Sequence, residues 1–134
     1  MAQMKAEYLG GLRTTAQHIK SGNDLITDAP LDNNGKGEAF SPTDLLCTSL
    51  SCCMMTLMGI YAQRENIDIT GMTSEITKIM DENPRKVKEI QIHFQKDSLS
   101  ATDVQITKLK RAALTCPVSL SLSKSVKQTI TFSF

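Results

Sequence analysis

Ser41-Pro42-Thr43-Asp44-Leu45-Leu46-Cys47-Thr48-Ser49-Leu50-Ser51-Cys52-Cys53-Met54-Met55-Thr56-Leu57-Met58-Gly59-Ile60-Tyr61 is the stretch that decides the fold. It reads as a long helix capped by Ser41. The Ser41 hydroxyl can accept the amide N–H of Asp44, and the Asp44 carboxylate can reach back to the cap. Pro42 suits the first helical position, where no amide hydrogen is needed. The helix is expected to run to Gln63 or Arg64. Leu46, Leu50, Cys53, Leu57 and Ile60 form an apolar stripe at helical spacing, and Thr48, Cys52, Thr56 and Gly59 a small-residue stripe on another face. A helix apolar or small over most of its circumference must be covered on several sides. The sequence therefore predicts a central helix wrapped by sheet, with a second copy of the chain completing the cover.

Upstream, Met4, Ala6 and Tyr8 alternate with Lys5 and Glu7 until Gly10-Gly11 breaks the run. Leu12 to Ile19 is extended in character, Ser21-Gly22-Asn23-Asp24 is a turn, and Leu25-Ile26-Thr27 a third strand. Asp32 to Gly37 is a loop, and Gly35-Lys36-Gly37 lacks the flanking elements of a phosphate-binding loop. Downstream, strands over Thr70 to Met80 and Val87 to Gln95 flank the turn Asp81-Glu82-Asn83-Pro84-Arg85. In the second strand Ile90, Ile92 and Phe94 face one way, and Glu89, Gln91 and His93 the other. Ser100 with Asp103 reads as a capping box opening a helix to Leu114. Thr115-Cys116-Pro117 opens another, through Val126. Ile130, Phe132 and Phe134 alternate with polar residues in a last strand with one buried face.

The 134 residues fit a single domain, 1–134. A net charge of +1 with 4% aromatic residues and no Trp gives no nucleic-acid surface. The apolar stretches are interrupted by Thr, Ser and Gly, so no membrane span is expected, and the N-terminus lacks a secretory apolar region. Four cysteines in that context fit a reducing cytoplasm, where disulfides are transient and catalytic.

Two cysteines stand out. Cys53 lies about three turns into the long helix, and Cys116 precedes Pro117 at a helix start. A distant pair on different helices reads as an attacking and a resolving thiol, against the alternative that each is a small core residue. The helix start should lower the Cys116 pKa. A reactive Cys53 needs a nearby cation, and Arg13 is the leading candidate. Cys47 and Cys52 read as packing, Cys52 against another backbone. No Cys-x-x-Cys is present, and His18 and His93 lack ligand spacing, so no metal site is expected.

These residues resemble the OsmC/Ohr family of osmotically inducible and organic hydroperoxide resistance proteins. Its helix motif sets a cysteine eleven positions after a proline, matched by Pro42 and Cys53, and its second motif is a late Cys-Pro, matched by Cys116-Pro117-Val118-Ser119. The order of strands and helices matches along essentially the whole chain, closest to the OsmC-like branch. The resemblance implies an α+β fold with antiparallel sheets wrapped around long central helices in an intertwined homodimer. It implies a thiol peroxidase reducing organic hydroperoxides through a Cys53–Cys116 disulfide, with a dithiol reductant and neither cofactor nor metal. Family peroxidases pair a thiolate-holding arginine with a glutamate directly after the motif's proline. That position is Thr43 here, which leaves Arg13 without its expected partner. The alternative is a non-enzymatic OsmC-like protein binding a small hydrophobic ligand at the dimer interface.

Overall fold

Three strands open the chain, β1 (Met4–Gly10), β2 (Arg13–His18) and β3 (Asn23–Asp28), paired antiparallel in that order. A computed structural model describes residues 1–134, which divide into two units, Met1–Leu46 and Cys47–Phe134. Within the first, Gly10, Gly11 and Leu12 all take positive φ, so two glycines stand where the β1–β2 turn needs left-handed backbone. The β2–β3 register pairs Arg13 with Asp28 and His18 with Asn23. The alternation of Met4, Ala6 and Tyr8 gives the strand, but all three side chains are exposed. The segment after β3 makes a single 3-10 turn, Leu31–Asn33, closed by Gly35 N–H to the Pro30 carbonyl at 2.9 Å. A Cβ on Gly35 would sit 1.7 Å from the Ala29 carbonyl oxygen, so only glycine fits there.

Helix α1 (Pro42–Arg64) has the expected start and length. Asp44 N–H donates to Ser41 Oγ at 3.1 Å, and Ser41 N–H to Asp44 Oδ2 at 2.9 Å. Its buried stripe is Cys47, Leu50, Ser51, Met54, Met58 and Ala62. The expected stripe is thus shifted: Leu50 is buried, Cys53 and Leu57 are half-buried, and Leu46 and Ile60 are exposed. Cys52 is exposed rather than packed against backbone. The cause is that α1 is apolar all round, so composition cannot say which side meets the sheet. By length and composition alone, α1 is also long and apolar enough to cross a membrane. Core helices meet the same criterion, and the buried stripe of α1 is part of the core of the second unit.

That unit has a three-stranded sheet, β4 (Thr73–Asp81), β5 (Lys86–Gln95) and β6 (Lys127–Ser133), with β5 central. β4 and β5 are antiparallel, but β5 and β6 are parallel, which corrects the expectation of purely antiparallel sheets. The segment Lys96 to Val126 is a crossover long enough to return the chain in the same direction, and it carries α2 (Asp103–Ala113) and α3 (Pro117–Ser121). A register shift between Ile79 and Met80 brings Val87 into the core with Ile90, Ile92 and Phe94. Phe132 stacks on Phe94 at 5.6 Å between ring centroids.

The α2 cap is Thr102, not Ser100. Its hydroxyl accepts the Gln105 amide at 3.2 Å, and the Gln105 side chain accepts the Thr102 amide at 3.0 Å. Helix α3 ends at Leu122, which is extended, well before Val126. Serines end it: Ser125 N–H bonds the Ser123 hydroxyl and Val126 N–H the Ser123 carbonyl.

A candidate dithiol site

Cys53 is half-buried on the third turn of α1, and Cys116 is wholly buried at the start of α3. The two thiols are neighbours, close enough for Cys53 to act on the titration of Cys116. Side chains distant in sequence are thus brought together in the second unit, both packed with its apolar core. All four cysteines are free thiols.

Local geometry fixes Cys116. Its backbone is extended at the cap position, Pro117 begins the helix, and its sulfur accepts the Ser119 amide N–H at 3.2 Å. Burial pushes the Cys116 thiol up from the ordinary value of 9.0, and the neighbouring Cys53 adds to the rise, while the Ser119 and Val118 amides pull it down. The lowering expected from the helix start is therefore overridden. Desolvation removes more stabilisation from the thiolate than two amides restore. The arrangement divides the pair chemically. Cys53 has solvent access, and Cys116 is sheltered and held protonated at neutral pH.

Ser119 is itself held. Its hydroxyl donates to Gln128 Oε1 at 2.6 Å, and Gln128 Nε2 donates to the Ser119 carbonyl at 3.3 Å. Sequence spacing gives no hint of Gln128, because its reach to Ser119, nine residues earlier, depends on how the connection between α3 and β6 folds back.

Arg13 lies in the first unit, at the start of β2. Its Nε donates to Asp28 Oδ1 at 2.7 Å and its Nη2 to Asp28 Oδ2 at 2.8 Å. Glu38 lies 3.5 Å from the same guanidinium, and its amide donates to Asp28 at 3.2 Å. Arg13 does not lack an orienting carboxylate, as Thr43 had led one to expect: Asp28 supplies it, and Thr43 shares a hydroxyl bond with Ser41. The forked bond to Arg13 holds the Asp28 carboxyl below the usual range, and Asp28 raises the guanidinium in return. A sequence signal for Asp28 exists: counting outward from the Ser21-Gly22 turn pairs it with Arg13. No group of three or more His, Cys, Asp and Glu side chains could hold a metal ion.

The comparisons with known proteins agree with this architecture. A family model described as OsmC-like protein matches residues 35–131. A solved structure from Psychrobacter arcticus 273-4, provisionally named an osmotic stress induced and detoxification response protein, shares 47% identity at a TM-score of 0.94. That match covers 99% of this chain and 96% of the other. An organic hydroperoxide resistance protein OsmC from Legionella pneumophila shares the fold at 20% identity and a TM-score of 0.72, covering 100% and 98%. An OsmC like protein from Mycoplasma pneumoniae does so at 17% identity and 0.79, covering 97% and 94%. No curated protein matches the chain. A family match over most of the chain and near-complete coverage at 47% identity lead to one conclusion: this chain belongs to the OsmC-like family.

Proposed function

We propose that this protein is a thiol peroxidase that reduces organic hydroperoxides to alcohols. The observation that carries the reading is the proximity of the half-buried Cys53 thiol to the sheltered Cys116 thiol. The name of the Legionella relative, an organic hydroperoxide resistance protein, supports the substrate class. The Cys53 thiolate attacks the distal peroxide oxygen, the O–O bond breaks, and the alkoxide leaves as alcohol after taking a proton. Cys53 is left as a sulfenic acid. The Cys116 thiolate then attacks the Cys53 sulfur, expelling hydroxide, which takes up a proton, and forming the disulfide. A cellular dithiol reduces that disulfide and completes the cycle. Arg13, oriented by Asp28, is the proposed cation that holds the Cys53 thiolate. The working form is a cytoplasmic homodimer.

The test is consumption of cumene hydroperoxide in the presence of dithiothreitol. Wild-type protein should consume it catalytically and Cys53→Ser should not, whereas Cys52→Ala should behave as wild type. If the wild-type protein consumes none, the peroxidase reading fails. If Cys52→Ala abolishes activity and Cys53→Ser does not, the wrong thiol has been assigned.

A further inference from the structure

On β6, Gln128, Ile130 and Phe132 align with Ile90, Ile92 and Phe94 of β5. These three β5 side chains are at most 1% exposed and form the sheet's core face. Gln128 is therefore the polar member of an otherwise apolar inward stripe. An amide at such a position must have its bonding groups satisfied. Both ends of this one are bonded to a single residue, Ser119: its oxygen accepts the hydroxyl and its nitrogen donates to the carbonyl. The Ser119 amide N–H in turn donates to the Cys116 sulfur. Helix α3 has only five residues, too few to hold its own geometry, so an external tie has work to do.

We propose that Gln128 is a positioning residue for Cys116: by clamping Ser119 it aims the Ser119 N–H at the Cys116 sulfur and so sets how readily that sulfur closes the bond to Cys53. The inference rests on reading the two thiols as a redox pair. A fixed N–H favours the charged sulfur over the neutral one. Closure requires the thiolate. Burial works against that thiolate, and the Ser119 N–H is one of the two backbone amides that oppose burial. Releasing Ser119 should therefore reduce the thiolate fraction of Cys116 without touching Cys53.

The test follows closure without any peroxide. An aromatic disulfide reagent that releases a coloured thiolate is added to protein carrying Cys52→Ala, which removes the exposed competing thiol. In the first phase Cys53 displaces one aryl thiolate and retains the other as a mixed disulfide. In the second phase Cys116 attacks the Cys53 sulfur, expels the remaining aryl thiolate and closes the pair. With Gln128→Leu the second phase should slow by roughly tenfold at neutral pH, the scale set by one hydrogen bond to a charged group. Its pH midpoint should rise by about one unit, with the alkaline plateau kept and the first phase unchanged. Ser119→Ala removes the hydroxyl arm but keeps the backbone N–H, and should give a smaller shift in the same direction. An unchanged midpoint in Gln128→Leu overturns the proposal, as does a lowered plateau at an unchanged midpoint, the signature of simple displacement. If Gln128→Leu does not fold, an unchanged midpoint in Ser119→Ala overturns it equally. A wild type that closes the pair under the reagent yet consumes no hydroperoxide sinks the peroxidase reading alone.

Discussion

Asp28 has no exposed surface, and its carboxylate accepts both arms of the Arg13 fork and the Glu38 amide. Its pKa is lowered below 3.8, first by the Arg13 bond. A depressed carboxyl contributes stability that is complete above the unfolded value and is lost as pH falls through the folded one. Wild-type protein and Asp28→Asn should therefore differ in urea midpoint near neutral pH, with wild type the more stable. The gap should close only well below pH 3.8, where the native carboxylate also takes a proton; a gap that is constant with pH would count against the ion pair. If Arg13 holds the Cys53 thiolate as proposed, Asp28→Asn should slow Cys53 oxidation in the same sense as Arg13→Ala, read by rapid mixing with hydroperoxide. The candidate thiol pair was legible at this scale through the family resemblance, whose Pro42 spacing and late Cys-Pro motif point to Cys53 and Cys116. What a linear reading omits is environment. A cysteine at a helix start reads as acidic, yet burial reverses the sign for Cys116, and burial is a property of the packed core. Asp28 escaped notice because its importance lies in hairpin register, and Gln128 because its bonds to Ser119 depend on how the short connection between α3 and β6 folds back.

Elements that declare themselves locally were legible in full. The start of α1 follows from Ser41, Pro42 and Asp44, each of which acts within one turn, and its end matches within a residue. Ambiguity begins where two local solutions compete, as at the start of α2. Ser100 with Asp103 and Thr102 with Gln105 have the same spacing, and the chain uses the second. Thr102→Ala should cost about 1 kcal/mol of stability by urea denaturation, the usual value for a lost cap, and Ser100→Ala close to nothing. Equal costs would mean that the reciprocal Thr102–Gln105 bonds carry no energy. Strand direction is beyond any local signal. The alternation of Ile130, Phe132 and Phe134 says that β6 has one apolar face but not that it runs parallel to β5. The faces of α1 are hidden for a related reason, since side chains of similar polarity surround it. The buried stripe can be checked directly: Leu50→Ala should cost about 2–5 kcal/mol, whereas Ile60→Ala, on the exposed side, should cost far less.

At the scale of the molecule, apolar surface remains on single elements of the isolated chain. Tyr8, Leu9, Leu25 and Ile26 are exposed on the first sheet, and Leu46 and Ile60 on α1. The proposed second copy would cover such surfaces, and an obligate interface should bury more than about 2,000 Å². Sedimentation equilibrium should then find no folded monomer at micromolar concentration. The same apolar character bears on substrate choice. Cys53 is half-buried against the core, and Leu57, one turn further along α1, is half-buried with it. Leu50 and Met54, on the same helix, are fully buried and present no surface to a substrate. A hydrocarbon tail that removes its methylenes from water beside such a thiol gains about 0.8 kcal/mol for each. Two methylenes thus give roughly a tenfold preference, and hydrogen peroxide has nothing to bury. The expected outcome is a kcat/KM for cumene hydroperoxide at least about tenfold above that for hydrogen peroxide, narrowed in Leu57→Ser. Faster turnover of hydrogen peroxide, or a preference indifferent to Leu57→Ser, would remove the apolar approach to Cys53 from the account.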